Sequence, residues 1–357
     1  MTKADRLIAW FDEIDEDERE AVGGKALSLG RLRRAGIRVP PGFVVTTRAF
    51  SRAQRSFDPD GALRAAIANL PAQDREACAR AGAAAHDAVL QAELSAEVTT
   101  AIAESYSRLC NACGEDVPVA VRSSATAEDS ADSSFAGLQD TLLWVRGERA
   151  VDEAVRRCWA SLYSEPCVVY RRRLGLPEER MAMGVAVQQM VRARSAGVMF
   201  TRSPLTGDRS IVAINASWGL GSAVVGGEVT PDEFVVDKIS GDLRRTRIGE
   251  KAIRHVPAET FGTRVEDVPE ALRVQPSLAP EELRELVAIG RRVEAHYGHP
   301  QDIEWAIDER GEHPENIFLL QSRPETVWSA RESVAHEVPR EKAFEHVLSI
   351  FGSAVRR

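Results

Sequence analysis

Three clusters of residues in this 357-residue chain have the types and spacing to hold a polyphosphate. The first is Gly23-Gly24-Lys25, read as the opening of a helix. A helix start presents free N–H groups and partial positive charge, and a lysine beside it adds a compact cation suited to phosphate. It is not a Walker loop, because the run from glycine through four residues to Gly-Lys-Ser or Gly-Lys-Thr is absent. A glycine-rich turn with a solvated lysine would read the same way. The second cluster is Val121-Arg122-Ser123-Ser124, followed by Ser134-Phe135-Ala136-Gly137-Leu138 and Thr141. An arginine leaving a buried strand, next to a small-residue loop with spare backbone and hydroxyl donors, can grip phosphate oxygens. An ordinary flexible loop has the same composition.

The third cluster pairs Asp302-Ile303-Glu304-Trp305 with Gln321-Ser322-Arg323-Pro324. In a strand, residues two apart face the same side, so Asp302 and Glu304 project together and Arg323 shares a face with Gln321. Glu304 beside the Gln321 amide oxygen would offer hard oxygen ligands to Mg²⁺, which prefers carboxylates together with phosphate oxygens. The competing reading is an exposed hairpin with scattered charges.

The elements that must position these clusters are mixed. Leu7 to Phe11 reads as a short apolar strand, and the helix begun at Gly23 should stop at Gly36. VPPGFVVTT runs from an extended Pro-Pro segment into a strand, since residues before proline avoid the helical region. Residues 62–113 are alanine-rich with helical periodicity. Residues 148–175 read as one helix with Trp159, Leu162 and Tyr163 inward. GVAVQQMV, AGVMFT, SIVAINA and DEFVVD have strand propensity. A helix from about Glu281 to Tyr297, ended by Gly298, precedes the strands DIEWAID and NIFLLQS. Strands and helices mix without a regular β-α-β period, which predicts an α+β fold of two lobes. We expect an N-terminal lobe over 1–190, a second lobe over 191–328 and a helical tail over 329–357. In the tail, Phe344, Val347, Leu348, Phe351 and Val355 follow spacing of three and four, giving one apolar stripe. That stripe would either pack on its own domain or dock a partner.

Lys+Arg number 46 against Asp+Glu 54, a net charge of −8, and no basic stripe dominates, which argues against nucleic-acid binding. The clusters Arg31-Arg33-Arg34 and Arg171-Arg172-Arg173 read as solvated helix faces. No apolar run approaches the roughly 20 residues that span a bilayer, and the N-terminus turns acidic where a signal peptide stays apolar, so we expect a cytoplasmic protein without a membrane partner. Five scattered cysteines fit reduced thiols, and the lone Cys110/Cys113 pair lacks the second pair that structural zinc needs.

Together these stretches carry a resemblance. GGKALSLGRLRRAGIRVPPGFVVTTRAF, VAVRSSATAEDSADSSFAGLQDTLL, VQQMV, SAGVMFTRSPLTGD, ASWGLGSAVVGGEVTPDEFVV and QDIEW with LLQSRPET run in order from about residue 8 to 328. They resemble the N-terminal ATP-binding domain of the phosphoenolpyruvate synthase, pyruvate phosphate dikinase and rifampicin phosphotransferase family. The resemblance implies an ATP-grasp-like fold, with ATP and Mg²⁺ held between two lobes. It implies that Lys25 and Arg122 bind phosphates, that Gly137 and Thr141 lie in the phosphate loop, and that Gln188 sits at the adenine hinge. Glu304 and Gln321 would hold Mg²⁺, Arg323 would face the β/γ-phosphates, and Asp302 matches a family acid.

In that family a histidine on a separate swivelling domain attacks the β-phosphoryl group and AMP is released. None of the seven histidines here (His86, His255, His296, His299, His313, His336, His346) stands in the family's histidine motif. The resemblance therefore implies a partner that bears the histidine. A split system of this kind resembles phenylphosphate synthase, in which one subunit looks like this domain and another carries the histidine and phosphorylates phenol. Two other readings stay open: an excised domain of a phosphoenolpyruvate synthase or rifampicin phosphotransferase, and a nucleotide-sensing module without turnover.

Overall fold

A computed structural model describes residues 5–126, 141–326 and 328. Gly137 and the apolar stripe expected over 340–355 lie outside them. Two antiparallel sheets organise the chain. The first has five strands in the order β1-β2-β5-β3-β4: β1 Ile8–Trp10, β2 Gly42–Val45, β3 Val119–Ala125, β4 Thr141–Val145 and β5 Met183–Gln189. The second has six in the order β13-β12-β6-β7-β8-β9: β6 Ala193–Phe200, β7 Ile211–Trp218, β8 Asp232–Asp237, β9 Leu243–Arg247, β12 Gln301–Asp308 and β13 Ile317–Pro324. Strands β10 (Ile253–Pro257) and β11 (Thr263–Asp267) form a separate hairpin.

Helices α2 (Thr47–Phe57), α3 (Ala62–Ala68), α4 (Arg75–Gln91), α5 (Ala96–Cys113), α6 (Glu148–Ser161) and α7 (Glu165–Arg173) build the helical side of the first sheet. Phe43, Val45, Val121, Val185 and Val187 pack there with Phe50, Tyr106, Val155 and Trp159. The helix expected over 148–175 is two helices, because Ser164 takes an extended conformation and α7 starts anew with Pro166 in its first turn, where proline is tolerated. Trp159, Leu162 and Tyr163 do point inward.

The opposite face of the first sheet, through Val44 and Ala186, shares a second core with the second sheet. Helix α1 (Arg19–Arg34) and helix α10 (Pro280–Tyr297) fill it, α1 with Leu27 and Leu32, α10 with Leu286 and Val293. Trp305, fully buried, anchors the strand side. Helix α1 therefore touches both sheets: Ser28 Oγ donates to Ser322 O at 2.6 Å, and Ala26 N donates to Ser124 Oγ at 3.1 Å.

The start of α1 differs from its sequence reading. Helical turns begin at Arg19 and are interrupted at Gly23, whose φ of 78° and ψ of 171° are not helical. A Cβ at Gly23 would fall 1.9 Å from Ser124 O, so only glycine lets the helix approach β3 here. The end matches: Ile37 N bonds Leu32 O at 3.0 Å and Gly36 takes φ 68°, a left-handed cap. The arginine clusters split. Arg31, Arg33 and Arg34 pair with Asp12, Asp15 and Glu16 at the surface, whereas Arg171 is 1% exposed and bonded to Glu178, with Arg171 Nε 2.8 Å from Oε1. A solvated face is thus the wrong reading for Arg171. Two short helices, α8 (Ser222–Val225) and α9 (Glu270–Arg273), complete the described elements.

Candidate nucleotide site

The connection from β5 to β6 joins the sheets at residues 190–192. It is tied to the first sheet by Gln189 N to Pro41 O (2.9 Å) and Met190 N to Pro118 O (2.8 Å). Beside it lies a cavity of about 360 Å³, lined by Gln188, Met190, Val191, Leu143, Leu220 and Ala306, with Arg122, Thr141 and Glu304 at its charged side. Gln188 is 2% exposed and its amide Nε2 has no hydrogen-bond partner among the described residues. Leaving a buried donor unmade costs free energy, and Gln188 lines the cavity, where a ligand acceptor would satisfy it. A second cavity of about 410 Å³ adjoins it and is lined by Phe200, Asn215, Asp302, Glu304, Gln321 and Arg323. Glu304 and Val225 border both cavities. One end of the combined space is mostly apolar and the other is charged.

Strand register explains the charged end. Glu304 is the cross-strand partner of Gln321, and Asp302 that of Arg323. The four side chains therefore stand on one face of the β12–β13 hairpin, as the two-residue alternation required. From the other sheet, Arg122 reaches across the cleft. Its Nη2 donates to Glu304 Oε2 at 2.9 Å and to Gln321 Oε1 at 2.6 Å, and its Nη1 to Leu320 O at 3.3 Å. Thr141, the cross-strand partner of Arg122, opens β4 at the cleft rim. Arg323 Nε lies 3.5 Å from Asp302 Oδ2, and burial pushes the Asp302 carboxyl up to about 6 against the pull of Arg323. Asp302 Oδ1 is buried without a partner among the described residues.

Lys25 lines neither cavity. Its Nζ bonds Ser123 O at 3.1 Å, next in the chain to Arg122, so the first two clusters meet on β3. The donor set fits Mg²⁺: a carboxylate and an amide oxygen already converge on one guanidinium nitrogen, a point where cationic charge is favoured. Among the described residues no group of three His, Cys, Asp or Glu gathers to hold a metal alone, so such an ion would share its shell with phosphate and water.

Sequence reasoning included the stretch Gly219–Glu228 in the family resemblance but gave it no role in the site. It supplies Leu220, Gly221, Ser222, Val225 and Gly226 to the first cavity. Its signal was its glycines, Gly219, Gly221, Gly226 and Gly227, which permit close backbone approach. A larger cavity of about 630 Å³ lies elsewhere, between the end of α1 and α10, and holds none of these residues. None of the five cysteines forms a disulfide, and no helix among the described residues is long and apolar enough to cross a membrane.

Two lobes closing on a space with an apolar and a polyphosphate-suited end define a nucleotide-binding domain. Residues 19–343 match the family model described as pyruvate phosphate dikinase, AMP/ATP-binding domain, and the chain belongs to that family. Its two-sheet, mixed helix-and-strand architecture agrees with the α+β fold expected from the sequence. It is 40% identical over 354 residues to a probable phosphoenolpyruvate synthase of Staphylothermus marinus, covering 93% of this chain and 42% of that protein. It is 42% identical over 322 residues to a probable phosphoenolpyruvate synthase of Methanothermobacter thermautotrophicus, covering 90% and 46%. A rifampicin phosphotransferase of a Streptomyces species is 41% identical over 322 residues, covering 90% and 36%. The chain thus spans less than half the length of these relatives.

Proposed function

We propose that this chain binds Mg-ATP between its lobes and presents the β-phosphoryl group to a histidine carried on a partner chain. Lobe 1–190 contributes Lys25, Arg122, Gly137 and Thr141 to the phosphates and Gln188 to adenine. Lobe 191–328 contributes Glu304 and Gln321 to Mg²⁺, and Asp302 and Arg323 to the phosphate end. The observation that carries the reading is the meeting of Arg122 from one sheet with Glu304 and Gln321 from the other.

The chemistry asked of these residues is positioning and charge neutralisation, which is most of what phosphoryl transfer needs. Glu304 and Gln321 would hold Mg²⁺, which would supply charge neutralisation to the phosphates. Arg122 and Arg323 hold those oxygens in line for a histidine nitrogen, which forms a bond to Pβ. The bond from Pβ to the bridging oxygen breaks, and AMP leaves with that oxygen. Water then takes the γ-phosphoryl group as phosphate, leaving phosphohistidine. None of the described histidines lines either cavity, which supports an acceptor outside these lobes. Phenylphosphate synthase is the split system this arrangement resembles. A second reading, with the histidine domain in the same polypeptide, is favoured by the greater length of the relatives. Five cysteines, none in a disulfide, support a cytoplasmic location.

AMP formation is measured with a histidine-bearing partner present. Glu304→Ala and Arg323→Ala should each lose activity by at least a hundredfold while keeping the far-ultraviolet spectrum of the parent, since a carboxylate on the metal and an arginine on the transferring phosphate act on the transition state. Activity within tenfold of the parent in either variant would sink that residue's role.

A further inference from the structure

His255, on β10, is 11% exposed and belongs to none of the phosphate clusters. Its ring Nδ1 lies 2.8 Å from the hydroxyl of Ser222, the first residue of α8. Its Nε2 lies 3.4 Å from Glu228 Oε2, within ion-pair range but out of hydrogen-bond line. Its backbone oxygen accepts from Leu220 N at 2.9 Å in an isolated antiparallel bridge. Gly219 is pressed against that same oxygen: a Cβ there would lie 2.5 Å away, and its φ of +76° excludes most side chains. One residue of the β10–β11 hairpin thus touches the stretch 219–228 at its start, at the head of α8 and at its end.

That stretch borders both cavities, through Ser222 and Gly226 on one, Gly227 on the other and Val225 on both. Helix α8 has four residues, too few to hold its own shape. Its place over the cleft therefore depends on outside tethers. We propose that His255 is a positioning residue that fixes the Gly219–Glu228 loop as a wall of the nucleotide cleft, so that its contribution appears in nucleotide affinity rather than in the stability of the empty protein. This rests on the nucleotide-binding reading above. A loop already held by His255 loses little conformational entropy when nucleotide binds, whereas an untethered loop must be ordered at the expense of affinity.

The test compares Mg-ATP binding by calorimetry with the ATP-induced rise in melting temperature. His255→Ala should weaken Mg-ATP about tenfold or more and shrink the ATP-induced rise, with a small change in the empty protein. His255→Asn, which keeps a hydrogen-bonding group directed at Ser222, should recover most of the affinity. A purely structural histidine would instead lower the melting temperature equally with and without ATP. Folded His255→Ala that binds Mg-ATP within twofold of the parent overturns the inference. If His255→Ala does not fold, Ser222→Ala decides, because it removes the α8 tether and leaves the hairpin intact: weaker binding by about threefold or more supports the tether, and unchanged binding refutes it. Failure of the parent protein to bind Mg-ATP refutes the nucleotide-binding reading and this inference with it, whereas parent binding with an unaffected variant refutes this inference alone.

Discussion

The Arg122–Glu304 contact crosses from one sheet to the other, so its removal should loosen the two lobes in the absence of nucleotide. Arg122 is 14% exposed and Glu304 29% exposed. Hydrogen bonds to charged groups contribute about 1.5–3 kcal/mol each when buried, and exposed ion pairs about 0.2–1 kcal/mol. A pair buried to this degree should couple by about 1 kcal/mol. Arg122→Met keeps the side-chain length but loses the bonds to Glu304, Gln321 and Leu320, and should cost about 2–4 kcal/mol. Glu304→Gln keeps an acceptor oxygen and should cost about 1 kcal/mol or less. The double variant should be less destabilised than the two costs added, by about 1 kcal/mol, and the difference should shrink in 1 M salt. Equilibrium urea unfolding without nucleotide measures all four proteins. Additivity within about 0.3 kcal/mol would show that this pair does not join the lobes.

Mg-ATP should raise the melting temperature by linkage to the folded state, and Lys25→Ala should show a much smaller rise; an equal rise in both proteins would remove Lys25 from the phosphates. Gly23→Ala should destabilise by about 3 kcal/mol or more, because the new Cβ meets the backbone oxygen of Ser124 and the positive φ adds strain. Urea unfolding within about 1 kcal/mol of the parent would refute the close approach of α1 to β3.

The pairing of Asp302 and Glu304 with Arg323 and Gln321 was legible because it needs only strand alternation in two segments separated by a short turn. The meeting of Arg122 with Glu304 was not: it spans 182 positions and depends on how two sheets face each other, which no local pattern encodes. The family resemblance implied that both residues serve one nucleotide, but not that they touch each other. Gly23 was legible as a helix-start glycine but not as a break inside helical turns, since its conformation is imposed by Ser124 from another strand. Arg171 misled because a basic helix end looks solvated until Glu178, seven residues on, folds back against it. The hairpin carrying His255 gave no strand signal: RHVP and TRVED are charged and largely unburied, so the apolar alternation that marks a half-buried strand is missing. The role offered for Gly137 falls outside the described residues.

The most direct measurement follows the two labelled phosphates of ATP separately. The chain is incubated with Mg²⁺ and ATP labelled at the β- or γ-phosphate, with and without a histidine-bearing partner domain of a phosphoenolpyruvate-synthase-type dikinase. The expected result is acid-labile label from the β-phosphate on the partner's histidine, γ-label released as inorganic phosphate, AMP as the nucleotide product, and negligible turnover by the chain alone. Transfer of the γ-label with formation of ADP, or rapid AMP release by the chain alone, would contradict it.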